Sequence, residues 1–285
     1  MLNINSINNF NIQTIKDSLA FSVLSHYSLD KIYKISNERP IEERFQVLYN
    51  INYVRYFESI LDAQCIIVNI NYNNKDTLFI AFRGTDSKLD WLHNINITQS
   101  ILPIPNTQLD SFPRIHSGFN SHFNSIRPSI QQEINHYISN TQQPHIIFTG
   151  YSIGAACASI GYLYFNYLYN QIHNINLINF ASPKIGDDNY VKLMDNIKSN
   201  SIRIIRHLDP IPILPDDIFF RHAGPEFYIN DHIIPMNNST TCCSFLKNLC
   251  CFKCRNQTWV NILNEHALSK YNQDLNSFYN IYHKK

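Results

Sequence analysis

The chain has 285 residues, 44% hydrophobic and 13% aromatic, which is ample for a packed core and excludes a disordered chain. Charged residues make up 16% and the net charge is +1, so there is no global field to hold nucleic acid, and that class of partner is set aside. Asparagine and isoleucine fill roughly a quarter of the chain, in tracts such as Asn3–Asn11 and His173–Asn179; biased codon usage accounts for them without a functional message.

Residues 12–35 have helical spacing, with Ile15, Leu19, Phe21, Val23 and Leu24 on one stripe. Val47–Phe57 is mixed and has no dominant period. Gln64–Asn69 and Thr77–Phe82 are short apolar runs separated by Asn71–Asp76, whose turn chemistry predicts a hairpin. Asn120–Asn140 is helical again, broken or started near Pro128. A strand is expected at His145–Thr149 and a buried apolar helix at Ile153–Asn170. Further strands are expected at Ile175–Phe180, Ser201–Leu208 and Glu226–Asn230, with a helix around Asn189–Lys198 and a mainly helical tail at Trp259–Phe278. Strands alternating with helices imply βαβ units and a mostly parallel sheet, to which the early hairpin adds an antiparallel edge. No linker or composition shift precedes Pro235. The expectation is one α/β domain over residues 1–285.

Glycine is scarce, at seven, so each one marks a place where the backbone requires it. Gly150-Tyr151-Ser152-Ile153-Gly154 matches G-x-S-x-G between a predicted strand and a predicted helix, the setting of a nucleophile elbow. The turn is too tight for side chains on its flanks, and the serine is thrust out at the carboxyl edge of the sheet. A hydroxyl needs a base, and the base needs an orienting acid, in the chain order serine, acid, histidine. Asp209 follows a predicted strand and is stiffened by Pro210-Ile211-Pro212. Asp187 and Asp188, at a helix start, suit capping, and Asp216 and Asp217 suit a solvated turn. Among the late histidines, His222, His232, His266 and His283, it is His266 that stands after the last strand at the head of the final helix. The N–H of Ile153 is one expected oxyanion donor. Thr85, in the Arg83-Gly84-Thr85-Asp86 turn, supplies the second, or is an ordinary turn residue.

Several motifs occur together in order: Ile80-Ala81-Phe82-Arg83-Gly84-Thr85, Asp90-Trp91-Leu92, His116-Ser117-Gly118-Phe119, Gly150–Gly154, Asn179-Phe180-Ala181-Ser182-Pro183-Lys184-Ile185-Gly186 and Asp209-Pro210-Ile211-Pro212. With them the chain resembles the class 3 lipase family, which includes fungal triacylglycerol lipases and diacylglycerol lipases. The similarity spans about residues 60–271. It implies an α/β-hydrolase fold, with a mostly parallel central sheet flanked by helices and a short lid. It also implies Ser152 as nucleophile, Asp209 and His266 as its partners, and Thr85 with Ile153 as the oxyanion hole. His222-Ala223-Gly224 resembles the family's late hairpin entry, and His266-Ala267-Leu268-Ser269-Lys270-Tyr271 its histidine segment. Tyr151 stands where the family usually has histidine, Ile153 where it usually has leucine, and Ala155 in place of a glycine.

The family carries a mobile lid after the oxyanion turn. Leu89, Trp91 and Leu92 sit in that place, on a short amphipathic segment that either opens at a lipid surface or packs permanently on the body. A Cys-rich insertion spans about residues 236–258, with Cys242, Cys243, Cys250, Cys251 and Cys254 among Phe, Leu and basic residues. It reads as an S-acylated, membrane-touching loop or as a reduced surface loop; adjacent cysteines are awkward metal ligands. No cofactor and no metal are expected. The opening residues lack a secretory-signal pattern, and an odd cysteine count fits a reducing compartment, so the expected location is cytoplasmic with some membrane association. The expected function is a serine carboxyl-ester hydrolase of lipid esters, acylglycerols or phospholipids. A catalytically silent lipid- or protein-binding module on the same fold is the alternative.

Overall fold

A computed structural model describes the chain at residues 6–7, 10–25, 50–72, 75–84, 98–172, 174–197, 200–206, 209–215, 218–229, 267 and 269–275. The chain opens with a small antiparallel pair, β1 (Ser6–Ile7) and β2 (Phe10–Asn11), followed by helix α1 (Ile12–Leu24). Three antiparallel strands come next: β3 (Asn50–Glu58), β4 (Gln64–Tyr72) and β5 (Lys75–Phe82). A second small pair, β6 (Gln99–Ile101) and β7 (Arg114–His116), leads into α2 (Ser117–Asn140). Then β8 (His145–Tyr151), α3 (Ile153–Leu168), β9 (Ile175–Phe180), α4 (Asp188–Asp195), β10 (Ser201–Arg206) and β11 (Glu226–Ile229) alternate, and residues 269–275 are helical.

Seven strands form one sheet in the order β11-β10-β9-β8-β5-β4-β3. Every pairing from β5 to β11 is parallel, and the β3–β4–β5 edge is antiparallel. Successive side chains on a strand point to opposite faces, and both faces here are covered. Ile67, Leu78, Ile80, Phe82, Ile146, Phe148 and Leu177 pack with α2 and α3 on one face. Ile66, Val68, Phe79, Ile147, Ile178 and Ile204 pack with Ile15, Leu19 and Phe21 of α1 and with Tyr271 and Leu275 on the other. Small residues let α1 approach closely: the Ser22 hydroxyl meets that of Thr149 at 3.1 Å, and Thr149 Oγ1 donates to the Ser18 carbonyl.

The structure departs from the expected elements at three places. The first helix ends at Leu24 with Ser25 as its cap, and residues 26–35 lie outside the described residues. The mixed stretch from Asn50 is an edge strand with an irregularity between Ile51 and Tyr53. Helix α2 runs through Pro128 without a break. The ring is exposed, while Phe119, Phe123, Ile126, Ile130 and Ile134 keep one buried stripe in register on both sides of it. As the mostly parallel sheet implies, β11 joins β10 in parallel, with Arg203 opposite Glu226 and their side chains paired at 2.9 Å.

Candidate active site

β8 delivers Ser152 at the carboxyl edge of the sheet, and α3 begins at the next residue. Ser152 has φ 59° and ψ −124°, a left-handed conformation that a non-glycine residue holds only under constraint. Its N–H donates to the Phe180 carbonyl at 3.0 Å, and its carbonyl accepts from the N–H groups of Ala155 and Ala156 at 3.0 and 3.3 Å. A Cβ on Gly150 would collide with the Gly154 carbonyl and would lie 2.8 Å from the nitrogen of Ala155, so strand and helix close over a gap too small for a methyl group. A Cβ on Gly154 would collide with the Phe82 carbonyl and come within 2.7 Å of the Arg83 carbonyl carbon. The end of β5 therefore lies against the elbow, and Gly84 is buried there. Ser152 makes no capping hydrogen bond to α3, unlike Asn11 at α1 and Asp187 at α4. Ile153 is the first residue of α3, where N–H groups lack intrahelical partners and favour negative charge.

Asp209 follows β10 and is 2% exposed. Its Oδ1 accepts from the Ile211 N–H at 2.9 Å, and its Oδ2 accepts from the Tyr271 hydroxyl at 2.7 Å. A single 3-10 turn, Ile211–Ile213, follows at once. Three donors hold that turn from behind. Lys184 Nζ donates to the carbonyls of Ile213 at 2.6 Å and Pro215 at 3.1 Å, its N–H donates to Leu214 at 2.7 Å, and His222 Nε2 donates to Pro212 at 2.5 Å. Burial first, and the Arg203 charge second, push the His222 imidazole well below its ordinary value, so it is a neutral structural donor.

The rival acids have other tasks. Asp187 caps α4, accepting from the Tyr190 N–H at 2.9 Å, and Asp188 is exposed beside Arg221. Asp216, Asp217, His232 and His283 lie outside the described residues, as do Thr85, His266, the segment with Leu89, Trp91 and Leu92, and the five cysteines Cys242, Cys243, Cys250, Cys251 and Cys254. Ala267, next to His266, is described, and its carbonyl accepts from the Lys270 N–H at 3.0 Å. The other two cysteines, Cys65 and Cys157, are buried, and burial pushes both thiols up, that of Cys157 to about 12. Neither is a nucleophile at neutral pH. Among the described residues no cluster is placed to hold a metal ion, and no helix is long and apolar enough to cross a membrane.

Sequence reasoning passes over Tyr271 and Lys184 as parts of this site, and weighs His222 only as a rival base. The motif around Lys184 is visible in the sequence, but nothing local marks a lysine as buried. Tyr271 meets an acid 62 residues away, which no local period reports.

A sheet of this order, with a serine elbow between a central parallel strand and its helix, is an α/β-hydrolase fold. Residues 79–219 match the family model described as Lipase (class 3), and over that stretch the chain is similar to the class 3 lipases, as its motifs imply. The chloroplast phospholipase A1 DAD1 of Arabidopsis thaliana is 29% identical over 167 residues, 55% of this chain and 37% of that protein. A secreted mono- and diacylglycerol lipase of Fusarium solani is 24% identical over 161 residues, 55% of this chain and 45% of that protein. The matched stretch thus spans less than half of either relative. The solved triacylglyceride lipase of Rhizomucor miehei superposes with a TM-score of 0.69 at 19% identity, covering 88% of this chain and 92% of that one.

Proposed function

We propose that the chain is a serine carboxyl-ester hydrolase that cleaves lipid esters, acylglycerols or phospholipids, with Ser152, Asp209 and His266 as its triad. The observation that carries this reading is Ser152 in a left-handed conformation at the strand–helix junction, its hydroxyl free of capping duty. Ser152 Oγ attacks the ester carbonyl carbon while His266 takes its proton. The oxyanion is met by the N–H of Ile153 and by Thr85. Collapse breaks the ester C–O bond and expels the alcohol, which receives from His266 the proton taken from Ser152, and water then releases the acid by the same steps. Asp209, buried and fixed by two hydrogen bonds, orients the imidazole.

The lipid substrate class is supported by exposed apolar side chains. Ile60, Leu61, Ile101, Phe112, Ile218 and Phe219 are exposed. Ile60 and Leu61 lie in the β3–β4 turn, whose Asp62 is 3.9 Å from Arg83 beside the elbow. Ile218 and Phe219 follow the acid's loop, and the Phe219 carbonyl accepts from Gln99 of β6. Exposed apolar side chains at Ile60 and Leu61, and at Ile218 and Phe219, on segments beside the elbow and after the proposed acid, suit peripheral contact with a lipid surface. The relatives named as phospholipase A1 and as mono- and diacylglycerol lipase point the same way. The test is labelling of the pure protein with a fluorophosphonate between pH 6 and 9, with the adduct mapped by mass spectrometry. An adduct on Ser152 is expected. No adduct at any pH overturns the reading in favour of a silent binding module.

A further inference from the structure

Tyr271 lies in the helical stretch 269–275 with its side chain wholly buried. Its ring stands edge-on to Tyr151 at 5.8 Å and to Phe180 at 6.4 Å. Its hydroxyl accepts from the Arg206 N–H at 3.0 Å and sits 2.7 Å from Asp209 Oδ2. The backbone N–H can only donate, so the single phenolic proton is directed at the carboxylate. Arg206 also pairs with Asp274, one helical turn from Tyr271, at 2.5 Å. The N–H of Tyr271 reaches the Ala267 carbonyl at 3.4 Å.

Tyr271, through its side chain and its N–H, thus touches segments next to the proposed nucleophile, acid and base. Tyr151 precedes the nucleophile, Phe180 accepts the nucleophile's N–H, Arg206 ends the strand that delivers the acid, and Ala267 follows the base. The tyrosine at 151, where the family usually has histidine, supplies the flat face against which the Tyr271 ring is set.

We propose that Tyr271 is a positioning residue: its hydroxyl fixes the rotamer of Asp209 and shares the carboxylate's charge, and so sets how strongly that carboxylate holds the protonated base. The proposal rests on the reading of Ser152, Asp209 and His266 as the triad. Burial first, and the Asp209 charge second, push the Tyr271 hydroxyl well above its ordinary value, so it remains a donor throughout the working pH range.

The test uses the full chain and a soluble ester. In Tyr271→Phe the ring stays and the proton is lost. With one donor gone, more of the carboxylate's charge falls on the imidazolium, so the acidic limb of kcat/KM moves to higher pH. We expect kcat to fall about tenfold or more with KM within about twofold, the pattern of a lost transition-state interaction. Site-specific 3-fluorotyrosine at 271 gives a stronger donor in nearly the same volume, and the acidic limb should move to lower pH. Packing alone gives no reason for opposite shifts, and the fluorinated protein decides the matter if Tyr271→Phe does not fold. A labelled wild type whose limb is unmoved by either change overturns the positioning role alone. An unlabelled wild type instead overturns the triad reading beneath it.

Discussion

Lys184 places its ammonium 2.6 Å from the carbonyl oxygen of Ile213, inside the protein and only 6% exposed. Asp209, the proposed acid, stands four residues earlier, so a buried cation braces the turn that carries it. Lys184→Met keeps the chain's bulk and removes the donor. Carbonyls of Ile213 and Pro215 then lose a charged partner, at a cost of about 1–3 kcal/mol. Urea unfolding should show that loss, and turnover should fall with KM nearly unchanged. Unaltered stability would mean that the ammonium is not what holds the turn.

Ser152 can be tested for strain separately from chemistry. Both Ser152→Ala and Ser152→Gly should abolish ester hydrolysis, since each removes the nucleophile. They should differ in stability. Alanine inherits the left-handed φ of 59°, whereas glycine accepts it freely. The glycine variant should be the more stable by about 1 kcal/mol, in spite of glycine's usual entropic cost. Equal melting temperatures for the two would show that the elbow holds no backbone strain.

Two aspartates separate catalysis from capping. Asp209→Asn should lower kcat by a factor on the order of 10³–10⁴ while the protein stays folded, because the amide cannot hold the imidazole as the carboxylate does. Asp187→Ala should cost about 1 kcal/mol of stability through the lost cap on α4 and leave turnover alone. Should the effects be exchanged, the acid is Asp187.

His145 gives the fold a pH dependence far from the site. Burial first, and Lys75 second, push its imidazole down to about 4, and it shares a hydrogen bond with Thr77 at 3.0 Å. The unfolded chain binds this proton below its ordinary value near 6.5, and the folded chain does not until about 4. Stability is therefore undiminished above about 6.5 and is lost as pH falls from there towards 4, by an amount on the order of 2 kcal/mol from this group. Denaturation at pH 7, 5.5 and 4.5 should follow that slope, and His145→Gln should flatten it. An identical slope in the variant would assign the effect to other groups, His222 among them.

The elbow was legible because scarce glycines fall where backbone meets backbone, at Gly150 and Gly154. The central strands were legible because runs such as Ile175–Phe180 are buried on both faces and stay uncharged and mainly apolar, with Asn176 and Asn179 as the polar exceptions. Pro128 misled because breaker chemistry is local, whereas the stripe from Phe119 to Tyr137 is held by the core it shares with α3 and the sheet. β3 was obscure because an edge strand with an irregularity loses the alternation that marks a strand. The place of Asp209 after a strand was legible. Its partner Tyr271 was not, because the contact exists only once β10 and the last described helix are packed together.

The burial of β9 has a consequence for the chain before it folds and after it fails. Ile175–Phe180 is a six-residue, uncharged, isoleucine-rich segment without proline, paired on both sides by β8 and β10. Such a segment is a template for intermolecular pairing whenever its neighbours are absent. During synthesis β8 is made before it but β10 only after it, so one flank waits uncovered until residues 201–206 emerge. On heating, the same flank is released among many copies at once. Aggregation should then outrun refolding, and the protein's endurance at high temperature becomes a matter of how fast it opens rather than of where its equilibrium lies.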